Sequence, residues 1–123
     1  MSGSGITQFQ GGVNVAMTAL AGGAAPTLAA NTLGWITGVT TVASDNDSVL
    51  IPAKQPKGTV LYVANLDAGQ DIRIYPPTGG TINGGTVTSG VVVVGETLGA
   101  ILVCASSDGL TWLAVKGAIC VAA

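Results

Sequence analysis

Histidine is absent from this 123-residue chain, and charge is scarce. Four Lys or Arg and six Asp or Glu make up 8% of the residues, against about 25% in an ordinary domain. Without histidine the commonest general base and metal ligand is missing. The two cysteines, Cys104 and Cys120, have no neighbouring cation to activate a thiolate. They are also too few for a disulfide framework and are expected as free thiols, with Cys104 a small core residue. Glu96 and Asp108 are isolated acids in separate loops, so no glycosidase pair is visible. No enzymatic activity and no cofactor are expected.

Long apolar runs are missing too, although 48% of the residues are hydrophobic. The longest, Val91 to Cys104, is interrupted by Gly95, Glu96 and Thr97 and falls short of the ~20 residues of a spanning helix. A membrane partner is therefore not expected. The opening residues show no basic segment followed by an apolar one, so synthesis in the cytoplasm is the expectation. Lys54, Lys57, Arg73 and Lys116 are the only cations, and the net charge is −2. That leaves no basic patch for a phosphate backbone, which argues against a nucleic-acid partner.

Scarce charge has a consequence for the surface. A compact 12.0 kDa chain exposes on the order of 6,000 Å², about one charged side chain per ~600 Å², where average composition gives one per ~200 Å². Much of the surface must be apolar, amide, hydroxyl or backbone, a condition better suited to an assembly than to a free monomer.

What the chain does contain is β-branched residues and turn chemistry. From Leu33 onward, eight candidate strands recur at roughly ten-residue spacing: Trp35–Ala43, Ser48–Ala53, Thr59–Leu66, Asp71–Pro76, Thr81–Asn83, Gly90–Gly95, Ala100–Ser106 and Leu110–Val115. Gly, Pro, Asn, Asp and Ser fill the intervals. The pattern points to a single all-β domain over residues 32–123, a sandwich, jelly roll or barrel, of which an antiparallel β-sandwich of jelly-roll type is the expectation. Alternation puts Ile72 and Ile74 on one face of their strand and Asp71, Arg73 and Tyr75 on the other. "VLYVA" and "ILVCA" alternate little, which fits strands buried on both faces or lying beneath an interface.

Residues 1–31 differ. They carry scattered apolar residues, but Gly22, Gly23 and Pro26 cut short any helix. The segment reads as an extended arm or short strand that contacts a neighbouring subunit. Phe9, Val13, Val15, Met17 and Leu20 are the candidate contacts, together with Leu33 and Trp35 just beyond it.

The stretch "IYPPTGGTINGGTV" invites two readings. It lacks the lysine and following helix of a phosphate-binding loop. As structure, Pro76 and Pro77 end a strand for want of ladder N–H groups, Gly79 and Gly80 permit a positive-φ turn, and Asn83-Gly84 is the strongest two-residue hairpin signal. "SDNDS" (Ser44 to Ser48) could offer oxygen ligands to calcium, but its spacing fits a solvated turn better. Trp35 and Trp112 could stack on a sugar, though Trp112 within "LTWLAV" is more simply a core or interface anchor.

Four segments taken together, "TALAGG" (Thr18 to Gly23), "VTTVASDNDSVLIPA" (Val39 to Ala53), "VLYVANLDAGQDIRIYPPTGGTINGG" (Val60 to Gly85) and "SSDGLTWLAV" (Ser106 to Val115), resemble small structural proteins of tailed bacteriophages. Within that group the chain is most similar to head decoration, or cement, proteins. The resemblance implies an all-β domain on the capsid exterior, commonly a homotrimer, that ties major capsid protein subunits together. A tail, fibre or host-glycan-binding β module is the alternative.

Overall fold

A computed structural model describes residues 15–20, 32–45, 47–88 and 92–119. These form nine strands and, among the described residues, no helix: β1 (Val15–Leu20), β2 (Ile36–Val42), β3 (Asp47–Leu50), β4 (Val60–Asn65), β5 (Ile72–Tyr75), β6 (Thr81–Ile82), β7 (Val92–Val94), β8 (Leu98–Cys104) and β9 (Thr111–Ala118). The eight strands anticipated from residue 33 onward are all present. β9 runs three residues beyond its expected end.

The strands make a six-stranded sheet, β1-β2-β4-β8-β9-β6, and a three-stranded sheet, β3-β5-β7. From β2 to β8 the chain changes sheet after every strand. As far as β6 it returns to each sheet in its original direction, so that β2 pairs β4 in parallel and β3 pairs β5 in parallel, whereas β7 and β8 come back reversed. Together these four strands are two stacked turns of a flattened coil. The expected antiparallel sandwich is thus corrected to two mixed sheets. Antiparallel pairing is confined to β4 with β8, β5 with β7 and β8 with β9. The intervals that suggested hairpins are mostly crossings between layers, whose turn chemistry is the same.

Alternation decides what each layer buries. Val39, Leu61, Val63, Leu102 and Trp112 face inward from the larger sheet and meet Val49, Ile72, Ile74 and Val94 of the smaller one in a single core. Ile72 and Ile74 are buried and Arg73 and Tyr75 only partly so, as their alternation requires. Cys104 is buried in the same core; Cys120 lies outside the described residues.

Residues 15–20 belong to the sheet. β1 pairs β2 in parallel, Val15 opposite Ile36 and Met17 opposite Gly38, so this part of the segment is a short strand. Phe9 and Val13 lie outside the described residues. Leu33, expected at an interface, is instead a core residue, 4% exposed. Its amide donates to the Leu50 carbonyl at 2.8 Å, which draws the segment onto β3.

Polar side chains secure the crossings. Asn65, at the end of β4, is fully buried. Its Nδ2 donates to the Gln70 carbonyl at 2.7 Å and to the Val94 carbonyl of the opposite sheet at 3.2 Å, and its Oδ1 accepts from the Asp67 amide. Asp67 in turn accepts from the Val42 amide at 2.9 Å and the Gly69 amide at 2.8 Å. "SDNDS" is less solvated than expected: Asp47 is buried and accepts from the Ser44 amide, while Asp45 accepts from the Asp71 amide across the crossing. At the last turn Asp108 accepts from the Ser106 hydroxyl and the Leu110 amide, and the Trp112 indole N–H donates to the Gly109 carbonyl.

Replacing Asn65 by Leu keeps the volume and strands two carbonyls and an amide, so a loss of about 3 kcal/mol is expected. Urea unfolding measures it, and a loss below ~0.5 kcal/mol, typical of neutral surface changes, would refute the clasp.

The Val42 amide, followed by that of Gly69, holds the Asp67 carboxyl below its ordinary value of 3.8. The Ser106 hydroxyl, followed by the Leu110 amide, does the same for Asp108. A carboxylate whose folded pKa is depressed contributes stability above its unfolded pKa, and that contribution is lost as pH falls through the folded value. The melting temperature is therefore expected to hold between about pH 7 and pH 5 and to drop below about pH 4. Asp67→Asn and Asp108→Asn should flatten the acid-side drop. A melting profile with the same acid slope in both variants would contradict this.

Candidate assembly interface

The larger sheet has two faces, and only one meets the smaller sheet. On the other, register aligns Ile36, Tyr62, Ile101 and Val115 in one row across β2, β4, β8 and β9. The next row, two residues along each strand, is Gly38, Ala64, Gly99 and Gly117. A ridge of large apolar side chains thus runs beside a trench of small ones. The two rows line a groove of about 470 Å³. Val60, Val103 and Leu113 flank the ridge in the same register.

None of the ten charged residues projects from this face. Lys116 belongs to the opposite side of β9, opposite Ala100, and its Nζ lies 3.5 Å from the Val93 carbonyl of the smaller sheet. The exposed sides of antiparallel sheets ordinarily carry polar residues. Here Ile36, Tyr62 and Ile101 are 41–43% exposed, and Leu113 and Val115 52% and 65%. The weak alternation of "VLYVA" and "ILVCA" is explained: inward residues are buried, and outward ones are apolar and open.

The residues singled out from sequence fall elsewhere. Pro76 and Pro77 are buried where β5 ends; Gly79, at φ 87, turns the chain so that the Gly80 amide donates to the Pro77 carbonyl. A Cβ at Gly80 would lie 2.8 Å from the Leu110 carbonyl oxygen, so only glycine fits. Asn83 and Gly84 adopt φ 54 and 71, a type I′ turn closed by the Gly85 amide on the Ile82 carbonyl. The Asn83 side chain then bonds both the Ala114 amide and its carbonyl, extending the β6–β9 ladder by one step. These are structural roles.

Trp112 is fully buried and has no face for a sugar. Trp35 is half-buried beside Pro52, Pro56 and Gln55 in a second groove of about 540 Å³. Among the described residues no group of three His, Cys, Asp or Glu side chains is placed to hold a metal ion, and no helix is long and apolar enough to cross a membrane. Sequence pattern exposed the apolar outward positions but not their ordering into ridge and trench, which depends on register across four strands.

Two glycines of the trench differ in what surrounds them. A Cβ at Gly99 would come within 3.0 Å of the Val63 carbonyl oxygen and 3.1 Å of Ile119 Cγ2, whereas at Gly117 it would meet nothing within 4 Å. Gly99→Ala should cost about 1–2 kcal/mol through overpacking, while Gly117→Ala should be neutral or stabilise by up to ~1 kcal/mol. Thermal unfolding at low protein concentration compares them, and equal costs would contradict the trench geometry. No protein-family model matches this chain, and no curated protein matches it.

Proposed function

We propose that this chain is a structural protein of a tailed-bacteriophage particle, a decoration protein that binds the outside of the head and stabilises the shell of major capsid subunits. The observation that carries this reading is the charge-free, apolar outward face of the larger sheet. A face of that size and chemistry is unfavourable in water and becomes favourable only when covered. The resemblance of four of its segments to phage structural proteins supplies the identity of the assembly. The mechanism is mass action. A protein that binds the assembled shell, and not its separated subunits, shifts the equilibrium away from disassembly by RT ln(1 + [L]/Kd).

Trp35 supports a second reading. Partly exposed beside two prolines and an amide side chain, it offers one wall of a sugar-stacking site, which a host-glycan-binding module would use. Glycan-array binding that disappears in Trp35→Ala would favour that reading.

With four cations and six anions, attachment to a shell rests on apolar area and backbone hydrogen bonds, because exposed ion pairs contribute only about 0–1 kcal/mol and are screened by salt. Titration onto undecorated shells should give affinities within about tenfold of each other at ~0.05 M and ~0.5 M salt. The decorated shells should also resist heat or denaturant better than bare ones. A hundredfold fall in affinity, or shells no more resistant when decorated, would defeat the proposal.

A further inference from the structure

We propose that the outward face of the larger sheet is where two copies of this chain pair about a two-fold axis, the ridge of each filling the trench of the other. The rows themselves supply the argument. Ridge and trench run side by side across the strands, two residues or about 6.8 Å apart. A half-turn about an axis lying between the rows and parallel to them exchanges one row for the other. Tyr62 of one copy then lies over Ala64 of its mate, and Val115 over Gly117, where a Cβ would meet nothing within the single chain. The patch is complementary to itself, as an isologous contact requires.

Charge points the same way. Each copy carries a net charge of −2, so two copies repel wherever their acids approach. On this face no charge opposes its own image, and none has to be desolvated.

Size is adequate as well. Five strands, β1 to β9, span about 24 Å at ~4.8 Å each, and four outward rows cover about 27 Å along them, or about 650 Å² in projection. The relief of ridge and trench raises the accessible area towards the ~800 Å² that each partner contributes to a standard interface. Two such faces would stack about 10 Å apart at about −30°, as aligned sheets do. A three-fold ring would instead need two different complementary patches on every subunit, and the ridge and trench form one.

The pairing would cover the face on which the phage reading rests, so the two compete for one surface: a dimer that never binds a shell supports the pairing alone, and a non-pairing chain that binds shells supports the phage reading alone. The test is the mass of the full chain by light scattering and sedimentation. The wild type should weigh twice 12.0 kDa at about 100 μM, a concentration at which even micromolar pairing is near saturation. Gly117→Val fills the trench at a position where a Cβ meets nothing in the single chain. It should weaken pairing at least about a hundredfold while the melting temperature of the monomer holds or rises. Val115→Glu, which sets a carboxylate on the ridge, should also leave folded monomers. A wild type that stays monomeric at that concentration, a three-copy mass, or a folded Gly117→Val chain that still pairs normally would each overturn the two-fold contact.

Discussion

Each change of layer takes the backbone past the edge of the core, where its N–H and C=O groups lose their ladder partners, and any left unpaired where water is excluded would cost about 1–3 kcal/mol. The crossings and the last turn are where this chain places these polar side chains: Asn65 and Asp67 after β4, Asp45 before β3 and Asp47 at its start, and Ser106 and Asp108 at the turn that joins β8 to β9 within one sheet. Four of the six acids accept backbone amides at such places. Scarce charge and the chain path are thus one fact. The carboxylates sit where the path needs acceptors, and the broad face of the larger sheet is left without any.

That arrangement inverts the usual division of an exposed sheet. One face of β2, β4, β8 and β9 is covered by the smaller sheet; the other carries side chains of nearly the same hydrophobicity. A shell protein and a self-pairing protein both profit from this, because covering apolar area releases about 25 cal/mol per Å². Few long charged side chains need be immobilised in the process.

Much of the fold was legible in short-range pattern. Eight strands, the inward Ile72 and Ile74, the positive-φ turns at Gly79 and Asn83-Gly84, and the core positions of Trp112 and Cys104 follow from alternation, turn residues and packing of small or bulky apolar groups. Pairing direction did not follow, because a hairpin and a layer crossing demand the same residues. Asn83-Gly84 shows the difficulty. It reads as a hairpin and takes I′ geometry, yet the chain leaves it for the other layer, with the Thr88 amide bonding back to the Gly80 carbonyl and the Gly79 amide to the Thr88 hydroxyl. Leu33, expected at an interface, lies in the core of the single chain, where its backbone is tied to Leu50, a partner distant in sequence. Lys116 and Gly117 looked like the end of a strand, while their ladder partners on β8, Ala100 and Gly99, keep β9 going.

Gly99 and Gly117, neighbours in the trench, separate what the single chain explains from what it does not. Glycine in a strand costs roughly 0.5–1 kcal/mol against alanine through lost backbone freedom. Gly99 has a local reason for that cost, since a Cβ would press on the Val63 carbonyl and Ile119. Gly117 has none: its φ is not in the left-handed region, and a Cβ would stand in open space. Within one chain the residue is a small loss without return. Set against a ridge of Ile, Tyr and Val from a second surface, the missing Cβ becomes the space that lets the two approach, so the balance at Gly117 closes only when the molecule is counted together with what covers it.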